Sequence, residues 1–434
     1  MNRCRVAVAV SGGRDSMALL HCTVQAAHAQ FAAGSIEVWA LHVNHGLQPA
    51  ADEWSALVEQ TCRRWAGRGL PLRFAACRLE GKPPRGDSVE AWARAGRYRE
   101  LAVMARAARC AVVLLAHHRG DQAETFLLQA LRGAGPSGLA SMPASAERDG
   151  LLWERPWLEQ PRAAIEAYVR RHRIRFVDDA SNADPRFARN LLRAQVMPAL
   201  SAAFPDAEAR LAAAARQAAL ARSLIDGVAN DDLAAVSDAE SLQLVRWRKL
   251  STDRRRESLR AWLSRRTGRG PTETLLARLM NELPATPPAR WLLEGSELRR
   301  YRGRATVTVV TPRGVPELPS HGFSGAVGDH AVAGCGASLS VQEVAIGGMP
   351  LALLRDARWQ PRRGGERFCR ALGTPARSLK KQFQAAGVAP WSRDAPLLVA
   401  ADGTLLFVPS LGADARALAA PGSPRVSLTW RSDR

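Results

Sequence analysis

Three short stretches carry residue types suited to handling charged oxygen. Residues 11–16 read Ser-Gly-Gly-Arg-Asp-Ser, set between an apolar run and an apolar helical pattern. Adjacent glycines let a turn aim its amides inward, and a helix N-terminus adds partial positive charge, so Ser11, Gly12, Gly13, Arg14 and Ser16 form a candidate phosphate site. The stretch is not a Walker A loop, because no Gly-Lys-Ser/Thr follows, and Gly-x-Gly-x-x-Gly is absent as well. Asp15 is unusual beside an anion, since a carboxylate there implies Mg²⁺ or a part in the chemistry. Alone, the hexapeptide serves equally well as a capped strand-to-helix turn.

The second stretch, "LLAHHRGDQAETFLLQALRGAGPSGL", puts His117 and His118 at a strand end and Asp121 and Glu124 in the first helical turn. The third, "ALHVNHGLQPAADEW", ends its strand on His42, Asn44 and His45. In a doubly wound sheet, ligands bind at strand carboxyl ends where the strand order reverses, so the three stretches face one cleft if the first and fourth strands are neighbours. Taken singly, Asp121 and Glu124 could instead complement a helix dipole, and the histidines could be structural.

The elements needed to position them are legible in residues 1–198, where "RVAVAV", "IEVWALHV", "LPLRFAAC", "AVVLLAHH" and "LLWERPW" alternate with amphipathic stretches. That alternation predicts an α/β fold, a doubly wound parallel sheet with helices on both faces. Residues 199–311 are Ala-rich and of helical period with two strand-like runs, "RWLLEG" and "ATVTVV", which predicts a small, mainly helical domain. Residues 312–345 are dense in Gly, Pro and Ser and read as a linker. Residues 346–434 form a small α+β unit with a helix near "SLKKQFQAAG" and a hairpin around Asp402-Gly403.

Bulk properties narrow the class of partner. The 434 residues carry a formal net charge of +20 with a pI near 11.0, which points to a polyanion such as nucleic acid. The basic residues are almost all Arg, with Lys only at 82, 249, 380 and 381; genomic base composition can exchange Lys for Arg but adds no net charge. Seven scattered cysteines without a Cys-x-x-Cys pair read as reduced thiols rather than a disulfide framework, zinc site or iron-sulfur cluster. No stretch approaches the roughly 18 apolar residues of a membrane helix, so a cytoplasmic protein with no membrane partner is expected.

Together these residues resemble the tRNA(Ile)-lysidine synthases, a family of the PP-loop (N-type ATP pyrophosphatase) superfamily. Its loop, Ser-Gly-Gly-x-Asp-Ser, is matched by Ser11 to Ser16, and its His-Val-Asn-His-Gly-Leu by His42 to Leu47. Its Glu-x-x-Ala-Arg-x-x-Arg-Tyr pattern is met by Glu90, Ala93, Arg94, Arg97 and Tyr98, and its His-x-Asp-Asp-Gln-x-Glu-Thr segment by His118, Asp121, Gln122, Glu124 and Thr125. Gly120 stands where the family usually has the first Asp of that segment. Downstream, Asp179, Ser181, Asn182, Asp184, Arg189, Asn190 and Arg193 follow the family stretch, and "RRGGERF" with "SLKKQFQAAGVAPWSRDAPLL" is similar to its C-terminal domain.

The resemblance implies ATP-dependent ligation of free L-lysine to C2 of the wobble cytidine of the CAU-anticodon isoleucine tRNA, through an adenylated cytidine, with AMP and pyrophosphate released. It makes residues 1–198 the ATP-binding catalytic domain, 199–311 a substrate-binding domain and 346–434 a tRNA-binding domain. The loop, with His42, Asn44 and His118, is then the ATP site. Asp15 and Asp121 become catalytic residues and Mg²⁺ ligands, while Glu124 and Asp179 are candidates for the lysine or cytidine pocket. Arg97, Arg189, Asn190, Arg193, Arg362, Arg363, Arg367, Lys380 and Lys381 are expected to contact tRNA. A tRNA thiolase of the same fold would want the missing Cys-x-x-Cys pair, and a non-catalytic tRNA-binding relic would not need the retained carboxylates. Monomer and homodimer both stay open.

Overall fold

The computed structural model describes residues 4–30, 36–46, 50–81, 89–178, 186, 188–238, 240–310, 323, 325–332, 336–418 and 424–432. It divides into two compact units, Met1–Ile225 and Asp226–Arg434.

The first unit runs β1 (Cys4–Ala9), α1 (Arg14–Gln30), β2 (Ile36–Asn44), α2 (Ala51–Ala66), β3 (Leu72–Arg78), α3 (Val89–Ala107), β4 (Val112–Leu114) and α4 (Arg119–Leu131). There follow α5 (Pro136–Leu139), β5 (Ser145–Arg148), β6 (Leu151–Glu154), α6 (Arg162–His172), α7 (Ala188–Leu191), a π-helical turn at Leu192–Val196, α8 (Met197–Ala203) and α9 (Ala207–Val236), within which the division falls. The sheet order is β3-β2-β1-β4-β6-β5, parallel except for the β5-β6 hairpin, so the expected adjacency of the first and fourth strands is present. Alternate residues of one strand feed opposite cores, as the pleat requires. Val8, Val38 and Ala40 pack with α1, α2 and α6, whereas Ala7, Leu41 and Val43 pack with Leu101, Ala102 and Ala105 of α3. Burial on both faces explains why these strands read as continuous apolar runs.

The second unit holds α10 (Leu244–Trp247), α11 (Thr252–Thr267) and α12 (Glu273–Glu282) against an antiparallel sheet. That sheet is ordered β7-β10-β9-β8, from β7 (Ser241–Gln243), β8 (Ala289–Leu293), β9 (Ser296–Tyr301) and β10 (Arg304–Val309). The middle region therefore carries four strands where the sequence suggests two. Strand β9, "SELRRY", hides its character because Glu297 and Arg300 are buried in it, paired with Arg299 and the Pro287 carbonyl.

Two further four-stranded sheets share a core around Leu339, Trp359, Leu398 and Phe407. One of them contains β11 (Gly328–Val332) and β12 (Ala337–Glu343), and β12 pairs along its length with the last strand, Arg425–Ser432. The stretch expected to be a linker at 312–345 thus supplies structural strands from residue 328 on, because backbone pairing rather than side-chain apolarity holds β11 at the edge; residues 311–322 lie outside the described residues. The expected hairpin forms from Leu397–Val399 and Leu405–Val408, and the expected helix spans Leu379–Ala385.

In the first unit, α1 is braced against α6 by a polar aromatic cluster. The ring nitrogen Nδ1 of His21 lies 2.9 Å from the Tyr168 hydroxyl, and the His172 ring stacks 4.3 Å from that of Tyr168 and 5.0 Å from that of His21. Burial, and then neighbouring His172, hold His21 below the ordinary imidazole value. With the folded pKa depressed, the unfolded chain takes up the proton first, so this contribution to stability is intact above about pH 6.5 and lost as pH falls through the folded value. The thermal midpoint should therefore fall more steeply between about pH 7 and pH 5 in the natural chain than in His21→Gln. Equal slopes would contradict this account.

Candidate functional site

The loop between β1 and α1 is set by one backbone requirement. Gly12 has φ +89°, and a Cβ there would stand 3.3 Å from Val58 and 3.5 Å from Val177. Both the left-handed backbone and the close neighbours call for glycine. The Gly12 carbonyl accepts the Val177 N–H at 2.9 Å, tying the loop to the segment after α6. The Ser16 hydroxyl donates to the Gly13 carbonyl at 2.9 Å and lies 3.1 Å from that of Ser11, so the two serines brace the turn from inside.

Opposite stands the start of α4. The His118 backbone N–H donates to Asp121 Oδ2 at 3.0 Å, while the Gly120 N–H donates to His118 Nδ1 at 3.1 Å, a reciprocal cap. In the neutral ring this leaves the proton on Nε2, which lies 3.6 Å from Asp121 Oδ2 and 3.8 Å from Asp15 Oδ2. One imidazole thus stands between the two carboxylates singled out from the sequence. Burial opposes the charge of Asp121, but His118, Arg189 and the His118 N–H outweigh it and hold the carboxyl below its ordinary value.

Glu124, one turn further along α4, is nearly inaccessible, and both its oxygens are occupied. Arg189 Nε donates to Oε2 at 2.9 Å, and Arg193 donates to Oε1 and Oε2 at 2.7 and 2.8 Å. Arg189 also reaches Asp121 Oδ1 at 3.1 Å. Arg189 and Arg193, expected as tRNA contacts, form a clamp on this acidic pair, and Glu124 holds two guanidiniums where an open pocket carboxylate was expected. Arg193 lies in the π-helical turn before Pro198, a residue with no N–H to continue the ladder.

From β2, the His42 side chain is buried, and its Nδ1 lies 2.8 Å from the Val10 carbonyl, which fixes the proton on Nδ1. Burial lowers its pKa, so the ring is neutral and Nε2 presents a lone pair; that atom is buried without a hydrogen-bond partner. Asn44 is engaged at both ends, donating to Asp52 at 2.7 Å and accepting from the Gly46 N–H at 2.9 Å, so it shapes the strand end.

One cleft of about 850 Å³ collects these groups, a volume suited to a nucleotide-sized ligand. Its lining includes Ser11, Gly13, Arg14, Asp15, Ser16, His42, Asn44, Arg97, His118, Asp121 and Arg193. Gly12, Glu124, Arg189 and Asn190 are not part of its lining, and Asp179 lies outside the described residues. Sequence reasoning assigned no site role to Arg94, Tyr98, Arg162 or Asp178, which also line it. Arg94 and Tyr98 sit in a recognisable motif, whereas nothing in the pattern separates Arg162 from an ordinary helix-surface arginine. His117 lines the cleft too; burial pulls its pKa to about 4 although Asp121 acts the other way. Arg97 is reachable from solvent, yet surrounding protein and then the Arg94 cation lower its pKa.

None of the six described cysteines lines the cleft, and burial raises the pKa of Cys62 to about 12 and of Cys110 to about 11. The thiols of Cys62 and Cys110 are inert fillers rather than nucleophiles. Among the described residues no group of three or more His, Cys, Asp or Glu could hold a metal alone, and no helix is long and apolar enough to cross a membrane.

In the second unit, Arg363, Arg367, Lys380 and Lys381 are exposed around the Leu379–Ala385 helix. Arg362 is drawn in over the Phe383 ring at 5.5 Å and faces Glu366 at 3.7 Å.

A parallel sheet reversing at β1/β4, with a Ser-Gly-Gly turn at the reversal, is the arrangement of a PP-loop protein, and residues 1–200 match the PP-loop domain. Residues 242–306 match the TilS substrate binding domain and residues 357–430 the TilS substrate C-terminal domain. The chain belongs to the tRNA(Ile)-lysidine synthase family. It is 38% identical to the tRNA(Ile)-lysidine synthase of Ralstonia nicotianae over 95% of this chain and 90% of that one. The Chromobacterium violaceum enzyme is 39% identical over 96% and 93% of the two chains. Among solved structures, a U34-tRNA thiolase from Methanococcus maripaludis with its [4Fe-4S] cluster aligns with a TM-score of 0.42 at 12% identity, covering 50% of this chain and 72% of that one.

Gly120, where the family pattern has Asp, is buried and is not part of the cleft lining, whereas Asp121 is. A Cβ at position 120 would lie 2.9 Å from His118 Cε1 and 3.6 Å from Glu208 Oε2. Gly120→Asp should therefore unseat the His118 cap, cost about 1–2 kcal/mol of stability and lower activity. Thermal melts with turnover assays check this; a variant more active than the natural chain would mean that position 120 lacks a needed carboxylate.

Proposed function

We propose that this chain joins free L-lysine to C2 of the wobble cytidine of the CAU-anticodon isoleucine tRNA, so that the tRNA reads AUA. ATP use follows from the PP-loop domain, and carbon–nitrogen ligation from family membership. In the first step the cytidine O2 attacks the α-phosphorus of ATP; the bond from that phosphorus to the bridging oxygen breaks, and pyrophosphate leaves with the electron pair. In the second, the lysine amine attacks C2, loses a proton, and AMP departs with the former O2.

One observation carries the mechanism: the loop, Asp15, His118 and Asp121 line a single cleft. The loop amides suit the β and γ phosphates, leaving the α-phosphorus open to attack. His118 Nε2 lies between Asp15 and Asp121, 3.8 and 3.6 Å from their nearer oxygens. The neutral His42 Nε2 accepts a hydrogen bond from the nucleoside. Arg97, reachable in the cleft, meets the tRNA or the α-phosphate.

Mg²⁺ is part of the proposal. Asp15 and Asp121 offer hard carboxylate oxygens, Asp15 being the less engaged, with Arg14 and His118 beside it at 3.4 and 3.8 Å. Two carboxylates without a complete protein cage fit an ion shared with nucleotide phosphates. When bound, it neutralises charge developing on the leaving pyrophosphate. Glu124, closed off by Arg189 and Arg193, is withdrawn as a substrate contact; Asp179 remains the proposed acidic contact for lysine or cytidine, and Asp178, which lines the cleft, joins it.

Pyrophosphate release measured with ATP, lysine and the isoleucine tRNA transcript, each omitted in turn, tests this function. Ligated product should require all three, and product formed without lysine would refute the proposal. Asp15→Asn should lower the rate by at least about 100-fold, since charge stabilisation at the leaving group supplies most of such catalysis.

The exposed basic patch of the second unit is proposed to grip tRNA phosphates. Deleting residues 346–434 is a poor test because β12 would lose its partner strand. The combined variant Arg363→Ala, Lys380→Ala, Lys381→Ala should instead weaken tRNA binding and reduce the slope of log affinity against log salt by about one per lost contact. An unchanged slope would remove the patch from the interface.

A further inference from the structure

A second cluster of charge flanks the loop, and the mechanism above uses none of its side chains. Arg14 is the first residue of α1, so its backbone belongs to the anion-binding turn. Its Nη1 donates to Glu166 Oε1 on α6 at 2.7 Å, and its Nε lies 3.4 Å from Asp15 Oδ1. The same Glu166 oxygen accepts from Arg162 Nε at 3.2 Å, one turn earlier on α6. Arg14 and Arg162 line the cleft; Glu166 does not.

Two guanidiniums thus converge on one carboxylate beside the pyrophosphate loop, and that trio keeps one positive charge, which faces Asp15 across the 3.4 Å contact. Arg189 and Arg193 differ, since the carboxylates of Asp121 and Glu124 balance them. At 3.4 Å the Arg14 contact to Asp15 is weak, and a phosphate oxygen displaces it readily. That the cleft takes a ligand has independent support in the buried, unpartnered Nε2 of His42. Position 14 is the open position of the Ser-Gly-Gly-x-Asp-Ser pattern, so this device comes from the chain's own residues.

We infer that Arg14 and Arg162, yoked by Glu166, form a clamp on the leaving pyrophosphate. Arg14 and Arg162 touch its oxygens as the bond to the α-phosphorus breaks, and Glu166 is a positioning residue that holds both side chains at the lip. This deepens the pyrophosphate-loop proposal and rests on it.

The test uses the full-length chain and tRNA-dependent ATP–pyrophosphate exchange without lysine, with inhibition by added pyrophosphate. Arg14→Ala should raise the inhibition constant for pyrophosphate by about tenfold or more and slow exchange comparably, with the KM for tRNA within about twofold. Arg14→Lys should recover part of the loss. Glu166→Ala should shift the same constant less, and add little on top of Arg14→Ala, because it acts through that side chain. An unchanged constant in both Arg14→Ala and Arg162→Ala, or a change confined to the KM for tRNA, overturns the clamp. If the natural chain shows no tRNA-dependent exchange, the adenylation proposal fails instead. Calorimetric titration with pyrophosphate alone then decides the clamp: tighter binding by the natural chain than by Arg14→Ala supports it, and equal binding overturns it.

Discussion

The cleft exists because β1 has parallel neighbours on both sides, β2 on one and β4 on the other. The helix that follows β1 covers one face of the sheet, and the helix that leads into β4 covers the other. At this reversal no crossover closes the space above the strand ends. Into that space project the β1 loop, the end of β2 and the capped start of α4, none of which has chemistry by itself. A glycine in the left-handed region at position 12 turns the chain there, and the 2.9 Å bond from Val177 to its carbonyl fixes the turn against the body of the unit.

Around that opening, charge is arranged in pairs. Asp121 and Glu124 would be costly to bury alone, and Arg189 and Arg193 offset the cost with charge-assisted bonds from about 65 residues downstream. Asp15 is less committed, which suits a group proposed to meet a cation. Neutral imidazoles at His42 and His117 contribute lone pairs without adding to the positive field. The wall therefore combines a Ser-Gly-Gly turn at a helix start with an acidic pair whose charge is already held by arginines.

Much of the site was legible because its residues cluster in sequence. The Ser-Gly-Gly turn, the strand-end histidines and Asp121 all sit where a strand hands over to a helix, and that context is local. Partner choice was not legible. Glu124 looked like an open carboxylate until Arg189 and Arg193 were seen to occupy both oxygens. Asn44 lines the cleft, and its side chain also ties Asp52 to the Gly46 turn, a pairing the motif does not announce. Gly120 looked like a missing catalytic group, whereas its position faces the His118 ring and Glu208 rather than the cleft. Strand β9 went unnoticed because its buried charges break the apolar pattern.

The sequence by itself determined the parallel α/β architecture, the Ser-Gly-Gly turn between strand and helix and the family, since each depends on short-range order: strand and helix periodicity, glycine where φ must be positive, and motifs in a fixed succession. Only the tertiary structure decided which charges neutralise one another and which remain for a ligand. Those pairings join residues such as Arg14 and Glu166, 152 positions apart, and depend on how helices seat on the sheet. An arginine's side chain is long enough that its register in the sequence does not say which carboxylate it will meet.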